Sequence, residues 1–346
     1  MNLRTSIVPT AVVIAILLLF GCELDPDVST RDAKAMSVFV AGGNVYTAGW
    51  CEDTEGVPTA CYWKGTKRTD LSEYGSQAYS VFVDGSTVYL AGEYYSDPYA
   101  SSWIPCFWTD TIRTELSTRY GWLQGYVSSV FVSAGTVYSA GIYYQTASIP
   151  LYWTDTAWTE LPTAGGKNSG YAYSNCVEGN TVYTAGKYYN GVGWIACYWE
   201  NDTRIDLPGG SGAAYSIFVD SGTVYTAGEY FTGNSWRPCY WINTTRSSLS
   251  YPGSGTTAYA TSIFVHAGDI YVAGSYLSWG TWIPLYWENL FFKELPCDNS
   301  GGDGIATDIF VSDGTIYTSG YYFNGSAYVP CFWKGTSRTD LSIFGR

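Results

Sequence analysis

The chain has 346 residues and a net charge of −13, with 14% charged and 18% aromatic residues, 33 Tyr and 15 Trp among them. No run of Lys or Arg stands out, and a phosphate backbone needs clustered cations, so nucleic acid is set aside as a partner. One histidine, His266, leaves little room for Ser-His-Asp, Cys-His or His-rich metal chemistry, and neither a cofactor nor a metal is expected.

The N-terminal segment stands apart from the rest. Arg4 supplies a positive charge ahead of an apolar run, Ala11 to Phe20, that is too short to span a bilayer comfortably. It ends in Leu19-Phe20-Gly21-Cys22. This resembles the lipobox of bacterial lipoproteins, with Leu at −3, Gly at −1 and then the cysteine that takes the lipid. The resemblance implies a signal peptide over 1–21 and lipidation at Cys22. It also implies an envelope protein, held to the membrane by acyl chains and displayed outside the cytoplasm. Residues 22–35 read as the lipidated cysteine and a polar tether.

From residue 36 onward one unit recurs seven times: Phe-Val, then Val/Ile-Tyr, Ala-Gly, an aromatic before Trp, and Leu. The Tyr members are Tyr46, Tyr89, Tyr138, Tyr183, Tyr225, Tyr271 and Tyr317; the Trp members are Trp63, Trp108, Trp153, Trp199, Trp241, Trp287 and Trp333. Cys176 takes the Phe place in the fourth copy and Ser319 the Ala place in the seventh. Alternating apolar and polar residues with Gly-rich punctuation predict four short strands per copy, A to D. Four-stranded repeats of this length are propeller blades. The expected fold is all-β, a seven-bladed β-propeller of four-stranded antiparallel blades over 36–346. Each end copy carries its own four strands, so the first and last blades are expected to meet face to face without sharing a strand.

The unit resembles the kelch-type repeat and the seven-bladed propellers of bacterial surface lipoproteins. The likeness lies in the apolar-Tyr-x-x-Gly strand followed by a Trp-bearing strand. Ala-Gly stands where kelch has a Gly pair, and the Trp comes earlier, in strand C.

Spacing separates the two faces of the ring. Phe to Tyr is seven residues and Trp to Leu eight in every copy, so the A–B and C–D turns have one length. Gly to Trp varies from 12 to 16, and Leu to the next Phe position is 11 or 15. The B–C loops and D–A connections therefore carry all the variation, on one face, where a binding site is expected.

Five residues before the repeat Trp, on that face, stand Trp103, Trp194, Trp236, Trp282 and Tyr328, with Pro58 and Ser148 in the other copies. Flat rings at the mouth of a ring suit a protein or carbohydrate ligand; the same rings also suit packing of each blade against its neighbour's loop. The doublets Tyr94-Tyr95, Tyr143-Tyr144 and Tyr188-Tyr189 read as packing. Arg and carboxylate alternate along strand D (Arg68/Asp70, Arg113/Glu115, Arg204/Asp206, Arg338/Asp340), as a charged rim or as protection of an edge strand.

Cys61, Cys106, Cys197, Cys239 and Cys331 lie two residues before the repeat Trp, where Leu151 and Leu285 stand in the other copies. That exchange predicts buried thiols in place of bridges. Cys51 with Cys61 across one hairpin remains open.

The expected function is a non-catalytic binding or scaffold module, monomeric and membrane-anchored. The alternative is a polysaccharide-active enzyme using a glycosidase-type carboxylate pair, with Glu93, Asp97 and Glu229 on the right face.

Overall fold

A computed structural model describes residues 31–71, 75–96, 102–118, 124–166, 169–252, 256–297 and 303–343. The lipobox, Cys22 and Asp97 lie outside these residues. Every copy of the repeat forms its strands in the order A, B, C, D, each antiparallel to the last. The first sheet is β1 (Ala33–Ala41), β2 (Asn44–Glu52), β3 (Pro58–Lys64) and β4 (Lys67–Asp70). The second is β5 (Ser76–Asp84), β6 (Thr87–Tyr95), β7 (Trp103–Thr109) and β8 (Ile112–Glu115). The third is β9 (Gly125–Ser133), β10 (Thr136–Tyr144), β11 (Ser148–Thr154) and β12 (Ala157–Glu160).

A seven-stranded sheet follows: β13 (Gly170–Glu178), β14 (Thr181–Tyr189), β15 (Trp194–Glu200), β16 (Thr203–Asp220), β17 (Thr223–Phe231), β18 (Trp236–Ile242) and β19 (Thr245–Ser248). The last two sheets are β20 (Ala258–His266), β21 (Asp269–Ser278), β22 (Thr281–Glu288) and β23 (Phe291–Glu294), then β24 (Gly304–Ser312), β25 (Thr315–Phe323), β26 (Tyr328–Lys334) and β27 (Ser337–Asp340).

Two boundaries differ from the sequence reading. β1 starts at Ala33, so three residues assigned to the tether pair with β2, Ala33 opposite Cys51. The fourth D–A connection is also no loop. β16 runs for 18 residues, pairing with β15 at one end and β17 at the other. Only 11 residues separate Leu207 from Phe218, as they do Leu71 from Phe82, and Gly209 and Gly210, both at positive φ, carry the chain from its pairing with β15 to its pairing with β17.

Strand A carries a β-bulge in each copy: Ala35/Ser37, Ala78/Ser80, Val127/Ser129, Ala172/Ser174 and onward to Ala306/Asp308. Two residues there oppose one on strand B, and the extra residue turns toward the centre of the ring. The bulge explains the repeat glycine. A Cβ on Gly186 would lie 1.9 Å from the Tyr171 carbonyl oxygen, and one on Gly92 1.9 Å from that of Gln77.

Neighbouring sheets are locked by the repeat tryptophans, all fully buried. Trp153 Nε1 donates to the Ser117 carbonyl at 2.9 Å, Trp199 to Pro162 at 3.0 Å, Trp241 to Pro208 at 3.0 Å and Trp333 to Pro296 at 2.9 Å. Trp63 makes the same bond to Ser342 at 2.7 Å. The first sheet thus docks on the last by the contact made by Trp153, Trp199, Trp241, Trp287 and Trp333 elsewhere in the ring, and among the described residues no strand is shared between them.

The fixed C–D turns also have a local cause. Asp110, Asp155, Asn201, Asn243 and Asn289 adopt positive φ, which Asx residues tolerate. Their side-chain oxygens accept from the first N–H groups of strand B, as Asp110 does from Val88 at 3.1 Å.

The repeat cysteines sit in the core, and Cys61, Cys106, Cys197, Cys239 and Cys331 are unbridged. Burial pushes their thiols up. Cys51 and Cys61 face each other with Sγ atoms 3.8 Å apart, also unbridged. The strand D charges are partly enclosed. Arg204 pairs with Asp206 at 2.8 Å and stacks on Tyr188, whose hydroxyl donates to the same carboxylate. Arg68 is 9% exposed and donates to the Ile343 carbonyl of the last repeat.

Candidate functional site

A cavity of about 770 Å³ occupies the axis of the ring. Its walls come from the first halves of the A strands and the ends of the B–C hairpins: Tyr79, Gly125, Tyr126, Tyr144, Tyr173, Tyr215, Tyr259 and Trp103 among them. Those segments lie toward the B–C loops and D–A connections, so the cavity belongs to the face with variable loops.

Farther along the axis Phe39, Phe82, Phe131, Phe218, Phe264 and Phe310 point inward. Adjacent rings stand 4.6 to 4.9 Å apart and are interrupted only at Cys176, which holds the gap between Phe131 and Phe218. Large apolar rings at this level close the axis toward the A–B turns.

Above them Ser37, Ser80, Ser129, Ser174 and Ser216 form a hydroxyl belt. Each Oγ accepts from a backbone N–H of the next repeat: Ser80 from Val130 at 3.2 Å, Ser129 from Asn175 at 3.1 Å, Ser216 from Ile263 at 3.1 Å. In the last repeat Asp308 takes the Ser place. Its carboxylate accepts from the Ser262 hydroxyl at 2.6 Å, the Ser37 hydroxyl at 2.8 Å, the Ile309 N–H at 2.9 Å and the Val38 N–H at 3.0 Å. Burial raises its pKa and these four donors oppose the rise.

The bulge residues between belt and mouth are Met36, Tyr79, Ser128, Tyr173, Tyr215, Thr261 and Thr307. The short ones tie sheets together, as Thr261 does by donating to the Ala306 carbonyl at 2.9 Å. The long ones reach into the cavity. Tyr79 donates to Glu93 and Tyr215 to Glu229, both at 2.6 Å. Both carboxylates are only 6% exposed. Burial carries the Glu93 carboxyl up to about 7, against the Tyr79 hydrogen bond. Burial also raises Glu229, opposed by Tyr215 and by the charge of Lys187.

The five aromatics predicted at the mouth of the ring do not converge. Trp103 lines the cavity and lies against Tyr95, centroids 3.7 Å apart. Trp194 sits between Tyr171 and Tyr189 at 5.4 and 5.6 Å, Trp236 against Phe231 at 5.1 Å, and Trp282 stacks on Tyr259 at 4.9 Å. Tyr328 meets Tyr321 and Phe323 edge-on. All five are half-buried in the first two residues of a C strand, and four of them pack on rings of their own sheet without lining the cavity.

Sequence reasoning missed the tyrosines that form the walls. A signal existed: in the Ala-x-Ser stretch of strand A, altered only by Val127 in the third copy and Asp308 in the last, the middle residue changes freely from copy to copy. Among the described residues no group of three or more His, Cys, Asp or Glu side chains is placed to hold a metal, and His266 ends an A strand, exposed, on the far face.

No protein-family model and no curated protein matches the sequence. Solved structures do. The chain is similar to a puromycin-hydrolyzing peptidase of Mycobacterium tuberculosis, with TM-score 0.57 and 12% identity over 91% of this chain and 53% of that one. It therefore spans about half of the peptidase. It is also similar to the β-propeller domain of the Trilobed protease from Pyrococcus furiosus, which has an open velcro topology, with TM-score 0.56 and 10% identity over 90% and 98% of the two chains. The six-bladed fungal lectin of Aleuria aurantia superposes more loosely, with TM-score 0.45 and 8% identity over 91% and 95%. At these identities the likeness is one of architecture, and the architecture is that of a β-propeller.

Proposed function

We propose that the chain is a non-catalytic binding module: a seven-bladed ring, lipid-anchored through Cys22 to a bacterial envelope, that takes a small ligand into its central cavity. The observation that carries this reading is the cavity itself, walled by tyrosines and Trp103 on the face with variable loops. Concave, largely apolar sites with few polar groups are the usual form of small-ligand sites. The outward charges of strand D are already paired, which leaves the axis as the better candidate for recognition.

A polysaccharide-active enzyme is the second reading, and Glu93 favours it, since a carboxyl titrating near 7 suits a general acid. Such an enzyme also needs an ionised partner carboxylate. Glu229 is raised as well and engaged by Tyr215 and Lys187, which fits that role poorly.

The test is calorimetric titration with a panel of neutral saccharides, organic amines and organic acids, with product analysis of each mixture. Binding without product, lost in Tyr173→Ala, supports the module. Product formation that depends on Glu93 supports the enzyme, and no binding across the panel counts against the module.

A further inference from the structure

Two aromatic clusters on the inner rim already enclose a cation from the chain itself. Lys34 Nζ lies 5.5 Å from the Trp50 centroid, 4.7 Å from Tyr321 and 4.8 Å from Tyr328. Lys187 Nζ lies 5.3, 5.7 and 4.9 Å from Tyr171, Tyr173 and Trp194. The ring faces carry negative quadrupole charge and hold an ammonium at these distances. Lys187 also lends its charge to the nearby Glu229.

A third cluster has the rings and the carboxylate and lacks the lysine. Tyr79, Tyr126, Tyr144 and Trp103 line the cavity together with Glu93. Tyr79 and Tyr126 meet edge-on at 6.1 Å. The repeat places that hold Lys187 in the fourth copy and Glu229 in the fifth hold Glu93 in the second and Ile142 in the third. Among the described residues no Lys or Arg pairs with Glu93 or stands over these four rings. The Glu93 carboxylate accepts from the Tyr79 hydroxyl at 2.6 Å.

We propose that this third cluster seats an organic ammonium group of the ligand, between the rings of Tyr79, Tyr126, Tyr144 and Trp103 and against the Glu93 carboxylate. The proposal rests on the reading of the cavity as a ligand site. A buried carboxylate without a counter-charge is costly, and an incoming ammonium supplies that charge while covering the ring faces. One carboxylate amid rings suits a large, weakly hydrated cation. A metal ion requires several oxygen, nitrogen or sulfur donors around it. A cavity of about 770 Å³ leaves room for a body attached to the ammonium head.

The experiment titrates the full chain by calorimetry at about pH 8, where Glu93 is ionised, with three probes: choline, its uncharged carbon isostere dimethylbutanol, and N-acetylglucosamine. Choline is expected to bind about tenfold or more tighter than dimethylbutanol. Glu93→Gln, which keeps the acceptor for Tyr79, is expected to weaken choline about tenfold with the thermal melt preserved at low pH. Tyr126→Ala, read with a melt, provides a second variant and is expected to weaken choline severalfold. Equal binding of the two isosteres, or choline binding indifferent to Glu93→Gln, overturns the ammonium assignment. Binding of the sugar alone overturns it too, yet leaves the binding module standing. Binding of none of the three overturns the assignment, and the wider panel described above then decides the module separately.

Discussion

The Ser37 hydroxyl donates to the Asp308 carboxylate at 2.8 Å, joining residues 271 positions apart. From the first repeat to the sixth, a serine at each junction of the belt accepts one backbone N–H of the next repeat. Asp308 serves both junctions of the last repeat, one carboxylate oxygen accepting from Ser262 of the sixth repeat and from its own neighbour Ile309, the other from Ser37 and Val38 of the first. A hydrogen bond to a charged group contributes more than one between neutral groups, and the stronger acceptor stands where the chain supplies no covalent continuity.

Asp308→Ala is accordingly expected to lower the urea midpoint. The buried Val38 and Ile309 N–H groups lose their acceptor, which costs about 1–3 kcal/mol for each group left unsatisfied. An unchanged midpoint shows that the belt closes without the carboxylate.

Glu93 sets a pH dependence of stability. Its folded pKa of about 7 lies above the ordinary 4.5, so between those values the folded chain binds more protons than the unfolded one. Stability from this group is therefore fully present below the ordinary value and is lost as pH rises through 7. Glu93→Gln removes the dependence. The variant and the parent are expected to melt together at acidic pH, and the variant several degrees higher at alkaline pH, since a tenfold change in proton affinity corresponds to about 1.4 kcal/mol. Melts across pH check this, and a variant advantage confined to acidic pH reverses the sign and refutes it.

Two glycines separate crowding from backbone conformation. Gly186→Ala places a Cβ 1.9 Å from the Tyr171 carbonyl oxygen and 2.8 Å from the Trp199 ring, and is expected to cost about 3 kcal/mol or more, or to prevent accumulation. Gly179→Ala, in an A–B turn at φ +60 with nothing near, is expected to cost only about 1 kcal/mol. Chemical denaturation of both reads the difference.

Cys106, Cys197, Cys239 and Cys331 occupy one register in four separate repeats, buried and with raised pKa. They are expected to resist alkylation in the native protein and to be fully alkylated, without reductant, once it is unfolded. Mass spectrometry that finds any two of them bridged contradicts the strand register.

Cys22→Ser is expected to move the protein from the detergent phase to the aqueous phase of a cloud-point partition. Equal partition of parent and variant removes the lipid anchor from the proposed function.

The periodic part of the structure was legible because it repeats. Phe39, Tyr46, Gly49, Cys61, Trp63 and Leu71 each have counterparts along the chain, and alternation with constant spacing identifies strands, turns and buried thiols. The site was not legible in the same way. Whether Tyr173 faces the cavity depends on a bulge that reverses one residue, and a period-two pattern carries no mark of that reversal. Trp103 and Trp236 share one register, yet only the first reaches the cavity, because their surroundings come from other repeats. The β16 junction was not legible either, because its 11-residue spacing is shared by Leu71 and Phe82 and reads equally as a tight loop.

The bond between Trp63 and Ser342 has a temporal side. The ribosome delivers Trp63 long before Ser342, and until the last repeat emerges the first sheet keeps one flank uncovered, with Ser37 and Phe39 lacking Asp308 and Phe310. A nascent or truncated chain is thus an open arc with two sticky ends, the kind of transiently exposed surface that associates with its like. Closure waits for the last repeat, and a chain truncated within that repeat leaves the first one without its neighbour.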